Sequence, residues 1–114
     1  MPIFLTKGRF TAQAISGMLS HPEDRKDSIA KLFEASGGRL ISYYMTFGEY
    51  DFLVISEGPF EGTAVSVIAA AAGGGVTELN TTLAMTSSDM KDAFTKAAPI
   101  AAKFKSAGAQ ARPQ

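Results

Sequence analysis

Apolar residues crowd Arg39 to Phe47 and again Tyr50 to Glu57, two short runs bounded by Gly37-Gly38, Gly48-Glu49 and Gly58-Pro59. Runs of that length between turn residues read as strands, here an antiparallel pair. Ile3 to Phe10 forms a first strand, ending where Thr11 can cap a helix. Ala12 to Leu19 forms a first short helix, and Pro22 is expected to restart it, since proline suits a first helical turn. From Glu23 onward Ile29, Leu32 and Phe33 recur at helical spacing, and Gly37-Gly38 stops the run. Gly58-Pro59 ends the third strand. Phe60 to Ala72 is helical despite Gly62, and Gly73-Gly74-Gly75 terminates it. Val76 to Met85 is a fourth strand, rich in threonine and branched residues. Thr86 and Asp89 resemble a capping box that opens a last helix, with Met90, Phe94 and Ala97 on one side. Pro99 breaks or kinks that helix before a final turn from Ile100 to Phe104.

The order strand, helix, strand, strand, helix, strand is the split pattern of ferredoxin-like folds. The fold class is therefore α+β, a ferredoxin-like βαββαβ unit with an extra C-terminal helix. Residues 1–106 form one domain, and 107–114 are expected to be a flexible tail. Right-handed crossovers place both connecting helices on one face of the sheet and leave the other face uncovered.

A two-residue turn at Gly48-Glu49, with glycine supplying positive φ, fixes the hairpin register. Phe47 then opposes Tyr50, Met45 opposes Phe52 and Tyr43 opposes Val54, all on the helix-facing side. The open face carries Leu40, Ser42, Tyr44 and Thr46 beside Asp51, Leu53, Ile55 and Glu57. In the fourth strand Leu79, Leu83 and Met85 face the core, while Glu78, Asn80 and Thr82 face outward. The first strand leaves its choice open between Ile3, Leu5, Lys7, Arg9 and Phe4, Thr6, Gly8, Phe10. Exposing Tyr44, Leu53 and Ile55 together is a liability that a second copy of the chain removes, sheet against sheet. A homodimer or higher even oligomer is the expected assembly.

Composition narrows the function classes. Eleven basic residues balance eleven acidic ones without a long block of either sign, which argues against nucleic acid as a partner. The 114-residue chain has no cysteine, hence no disulfide framework, thiolate nucleophile or thiolate metal site, and this fits a reducing cytoplasm. Its start, Met1-Pro2-Ile3-Phe4-Leu5, lacks the basic opening and cleavage site of a signal peptide. No apolar run reaches membrane-spanning length. No metal or cofactor is expected.

Ten positions carry candidate chemistry, each beside a structural alternative. His21 is the one histidine, so no histidine cluster can form within a subunit; before Pro22 at a helix start it has an ordinary polar role. Asp51 can accept a ligand ammonium or, as aspartate beside glycine commonly does, a turn amide. Tyr50 belongs to the core side in this register, as packing. Arg25 offers an anion site at a helix start or a surface ion pair with Glu23 or Asp24. Lys7 and Arg9 meet an anion or remain solvated. Tyr44, Glu78, Asn80 and Thr82 either line an interface pocket or hydrogen-bond across a wet interface. The glycine runs are helix stops, because no G-x-G-x-x-G follows a strand.

The pattern also resembles a known family. Thr11 at the end of the first strand, Pro22 followed by Arg25, Gly37-Gly38, the turn motif Gly48-Glu49-Tyr50-Asp51, and Pro59 before the second crossover helix are similar to the GYD-domain family. The resemblance runs from Phe4 to about Phe94. It implies a ferredoxin-like fold that associates as a dimeric α+β barrel, and it supplies no activity. A similar hairpin occurs in effector domains of leucine-responsive-type transcription regulators, though this chain has no helix-turn-helix. Other dimeric α+β barrels are cofactor-independent monooxygenases or isomerases, a link of fold alone. The leading expectation is a non-enzymatic, homo-oligomeric small-molecule-binding or regulatory module, with its site near Asp51 and the open face. The alternatives are a cofactor-independent enzyme using Tyr44, His21 or Arg25, and a purely structural oligomer.

Overall fold

The computed structural model describes residues 1–108; the tail expected from 107 lies mostly outside them. The elements run β1 (Ile3–Phe10), α1 (Ala12–Ser20), α2 (Lys26–Ala35), β2 (Arg39–Met45), β3 (Phe52–Glu57), α3 (Phe60–Ala72), β4 (Val76–Ala84) and α4 (Ser87–Ala101). Two compact units result, Met1–Ala84 and the segment from Met85 onward. In the first, a 4-stranded sheet has the order β2-β3-β1-β4 with every neighbouring pair antiparallel. This is the ferredoxin-like arrangement expected from the element order.

Burial alternates cleanly along the two central strands. Phe4, Thr6 and Gly8 of β1, with Phe52, Val54 and Ser56 of β3, are buried, while their neighbours are not. That settles β1: its Phe4, Thr6, Gly8, Phe10 set faces the helices. The core gathers around Phe33 of α2 with Phe52 and Val54, flanked by Phe10, Ile29, Leu40, Tyr43, Val76 and Leu79. Apolar burial of this kind is the main stabilising term. Helices α2 and α3 approach closely: a Cβ at Gly62 would stand 2.2 Å from the Ser36 carbonyl oxygen. At that junction the Ser36 and Ser66 hydroxyls share a short hydrogen bond, and Ser66 also donates to the Leu32 carbonyl.

The expected hairpin register holds for Tyr43 opposite Val54 and Met45 opposite Phe52. The turn differs. Thr46 N–H donates to the Asp51 carbonyl at 2.9 Å, and its hydroxyl donates to the Tyr50 carbonyl at 2.6 Å, so the loop is Phe47–Tyr50 rather than two residues. Among the described glycines those with positive φ are Gly37, Gly74 and Gly108, and not Gly48. The wider loop ends the side-chain alternation before Phe47 and Tyr50. Phe47 is fully exposed, and the Tyr50 ring lies under the Lys7 ammonium, 5.8 Å from its centroid.

Two bulges correct the face assignment further. Leu40 opposes Ser56 but Ser42 opposes Ile55, so Ile41 is the extra residue and Leu40 turns inward against the core. In β4, Asn80 opposes Lys7 and Thr77 opposes Arg9, leaving Glu78 and Leu79 across from Gly8. Glu78 takes the left-handed conformation there (φ 51°), which lets both Val76 and Leu79 reach the core side. Leu83 opposes buried Phe4 yet is largely exposed near the strand's end, and Met85 lies past β4.

The helix starts also shift. Pro22 does not open α2; the helix begins at Lys26, with Asp24 Oδ1 accepting from Lys26 N–H at 2.9 Å. Pro22 therefore belongs to a connector, residues 21–25. In the second unit, Thr86 caps α4 by accepting from Asp89 N–H at 3.1 Å. Pro99 is accommodated inside α4, which runs on to Ala101. Among the described residues no helix is long and apolar enough to cross a membrane.

Candidate functional site

A cavity of about 410 Å³ lies between the sheet and the helices of the first unit. Its sheet wall is the apolar row Phe10, Phe52, Val54, Val76 and Leu79. Gly8 makes that wall possible, because a Cβ there would stand 2.6 Å from the Phe52 ring and 2.7 Å from Leu79. Phe10 and Phe52 pack with tilted rings, centroids 5.2 Å apart. The helix wall is Ala14 and Met18 of α1, Ile29, Leu32 and Phe33 of α2, and Val67 and Ala70 of α3.

Polar groups inside this space are already engaged. Thr6 Oγ1 lies 3.2 Å from Thr81 Oγ1, and Ser66 is held by Ser36 and the Leu32 carbonyl. The remaining polar lining is His21, Glu23, Arg25 and Tyr43. The first three are exposed and come from the α1–α2 connector, so they form a rim. His21 N–H donates to the Gly17 carbonyl at 2.9 Å, which makes His21 the cap that closes α1 rather than a residue at a helix start. Arg25 Nη1 is 2.9 Å from Glu23 Oε1, an exposed ion pair. Tyr43 is half-buried; burial pushes its phenol above the usual value of 10.0, while Arg25 pulls it down and Asp24 adds to the rise. Its hydroxyl is therefore a proton donor at neutral pH.

The hairpin end of the open face holds a second polar group, and its geometry is structural. Asp51 Oδ2 accepts from Phe10 N–H at 2.9 Å, and Asp51 N–H donates to the Gly8 carbonyl at 2.8 Å. The carboxylate thus continues β1–β3 pairing past the last strand residue, as an aspartate serving a backbone amide. Arg9 donates to the Glu49 carbonyl at 3.0 Å and pairs with Glu78 at 3.4 Å. Asn80 accepts from the Thr82 hydroxyl at 3.2 Å, both exposed. Tyr44 is exposed on β2, opposite Leu53. Of the expected candidates, then, His21 and Arg25 meet at the cavity, whereas Tyr44, Asp51, Glu78 and Asn80 do not.

The GYD-domain model matches residues 4–94. The chain belongs to the GYD-domain family. In this GYD domain the motif Gly48-Glu49-Tyr50-Asp51 builds the hairpin loop and its lock onto β1. No curated protein matches the chain. Among solved structures, the crystal structure of FFRP-DM1 is similar at 15% identity, covering 75% of this chain and 100% of that one, with a TM-score of 0.46. Likeness at that depth says nothing of activity.

The sequence points to His21 and Arg25 of the α1–α2 connector but not to Tyr43 or Phe52. The signal is present: Tyr43 is one of two phenols, with Tyr50, on the expected helix-facing set. What the sequence lacks is any record that side chains from α1, α2, α3 and the sheet stop short of filling the space between them.

Proposed function

We propose that this GYD-domain protein is a homo-oligomeric small-molecule-binding module, acting in the cytoplasm, whose site is the cavity between sheet and helices. The observation that supports it is the cavity itself: about 410 Å³, apolar-walled, with its charged groups at one rim and its deep hydroxyls, Thr6 and Ser66, already hydrogen-bonded. Sites for small molecules have this size and this division of labour. The reading moves the site away from Asp51, whose carboxylate already holds a backbone amide. Assembly is supported by the open face, where Leu5 opposes Ile55 and Tyr44 opposes Leu53 across the sheet, an apolar stripe no helix of the first unit covers.

The test is native mass spectrometry of untagged protein purified from cells, with and without Ala70→Phe. Ala70 lines the cavity on α3, and a phenyl ring there occupies ligand space. The expected result is an even oligomer carrying a stoichiometric extra mass that Ala70→Phe loses while keeping its oligomeric state. A mass retained by the variant places the ligand elsewhere.

One observation favours a second reading, cofactor-independent chemistry on the bound molecule: His21 and Tyr43 line the same cavity. His21→Ala separates the two. Loss of turnover of the bound molecule, with the extra mass still present, assigns His21 a chemical role; an unchanged ligand in both proteins leaves a binding module.

A further inference from the structure

We infer that the cavity takes a neutral aromatic molecule of one or two rings bearing a single hydrogen-bond-accepting oxygen, with its rings inward and its oxygen on the Tyr43 hydroxyl. The inference rests on the cavity being a ligand site and deepens it by naming the ligand's chemistry.

Three features of the lining select that class. The interior is apolar and partly aromatic, with the tilted Phe10 and Phe52 rings in the sheet wall and Phe33 across from them. Flat rings suit such walls, since tilted and offset aromatic contacts add to simple burial. Next, the deep hydroxyls of Thr6 and Ser66 already have partners, so a second polar group on the buried end of a ligand would compete with bonds already made. Burying it unpaired is costly. The ligand's polar atom therefore belongs at the rim.

Rim chemistry then decides the charge. Glu23 and Arg25 neutralise each other at 2.9 Å, and the adjoining Asp24 and Lys26 add one charge of each sign. A carboxylate ligand would have to draw Arg25 from Glu23 and leave that glutamate uncompensated; an ammonium ligand would do the reverse to Arg25. Each exchange trades one ion pair for another and gains little. Tyr43 is different. It is half-buried, lines both the cavity and the neighbouring rim pocket, and its environment is set by burial and by Arg25 and Asp24 rather than by a hydrogen bond. Its hydroxyl offers a donor to an uncharged acceptor.

Four probes with one ring system and different heads test this by calorimetry at pH 7 on the full-length protein: naphthalene, 2-naphthol, 2-naphthoate and 2-naphthylmethylammonium. The expected order has 2-naphthol tightest, about fivefold over naphthalene, the worth of one net hydrogen bond. Tyr43→Phe should erase that advantage and leave naphthalene affinity unchanged, which also shows that the variant is folded. Naphthoate or the ammonium binding tightest overturns the neutral-ligand assignment, and equal affinity for naphthol and naphthalene overturns the role of Tyr43. In both cases the cavity reading survives. Failure of all four to bind overturns the aromatic assignment, while the cavity reading stands or falls by the mass that Ala70→Phe loses.

Discussion

At the scale of single residues, the most recognisable motif and the candidate site separate. Asp51 draws attention as an acid beside glycine, yet its Oδ2 is used by the Phe10 amide. Asp51→Ala should cost about 1–2 kcal/mol, the net worth of a part-buried bond to a charged acceptor. Asp51→Asn keeps an acceptor oxygen and should cost clearly less; urea denaturation of both variants is the check. Ser56 presents the opposite case. It is 1% exposed, and its hydroxyl is the buried side-chain group without a partner among the described residues. Removing an unsatisfied buried hydroxyl recovers its desolvation cost, so Ser56→Ala should be neutral or stabilising by up to about 1 kcal/mol. Tyr43 carries a pH prediction. Its folded-state pKa is raised, mainly by burial, so the folded protein holds this proton more tightly than the unfolded chain. The linked stability is present below pH 10 and is lost as pH rises from there through the folded value. Tyr43→Phe should flatten that alkaline decline, read as Tm against pH.

At the scale of elements, the turn centre makes the hairpin register legible, and bulges hide the errors in its faces. Tyr43 opposite Val54 and Met45 opposite Phe52 follow from centring the hairpin on Gly48-Glu49, a centre the wider loop keeps. Ile41 and the Glu78–Leu79 pair each insert one residue, and a pattern with strict period cannot say where such an insertion falls. Strict period two therefore puts Leu40 on the wrong face. The Phe47–Tyr50 loop misled for a related reason, since Gly48-Glu49 suits a tight turn, but the Thr46 hydroxyl and amide stabilise a wider one. Helix caps were more readable, Thr11 and Thr86 both accepting from the amide three residues on. The α2–α3 junction was not readable, because Gly62 counts as a helix weakener until its neighbour is known. With the Ser36 carbonyl 2.2 Å from a Cβ at that position, Gly62→Ala must push α3 off α2. Despite alanine's better helix propensity, the variant should lose about 2 kcal/mol or more, in the range of overpacked cores, and calorimetric unfolding measures it.

At the scale of the molecule, a sheet with one face turned to its helices leaves the other to be explained. Part of that face was legible: Tyr44, Leu53 and Ile55 share it in the sequence pattern, and the register sets them beside Leu5. The cavity behind the sheet was not, since it depends on how far helices stand off, which no single segment encodes. The two faces make separable claims, and Leu53 tests the outer one. Its side chain points away from buried Phe52 and Val54, so Leu53→Asp leaves the core intact. In a sheet-to-sheet dimer the new carboxylate is trapped between apolar strands, with Lys7 of β1 its one cationic neighbour in register. Even beside Lys7, taking that carboxylate out of water between apolar strands costs about 3 kcal/mol or more, which raises the dissociation constant at least about a hundredfold. Light scattering at micromolar concentration should then show an even oligomer for the parent chain and a folded monomer for Leu53→Asp, with calorimetric unfolding confirming the fold. Asp51→Asn, a residue tied to β1 rather than to a partner, should stay assembled. An oligomer unaffected by Leu53→Asp would mean that copies of the chain meet elsewhere, while the cavity on the other side of the sheet would keep its ligand whichever face assembles.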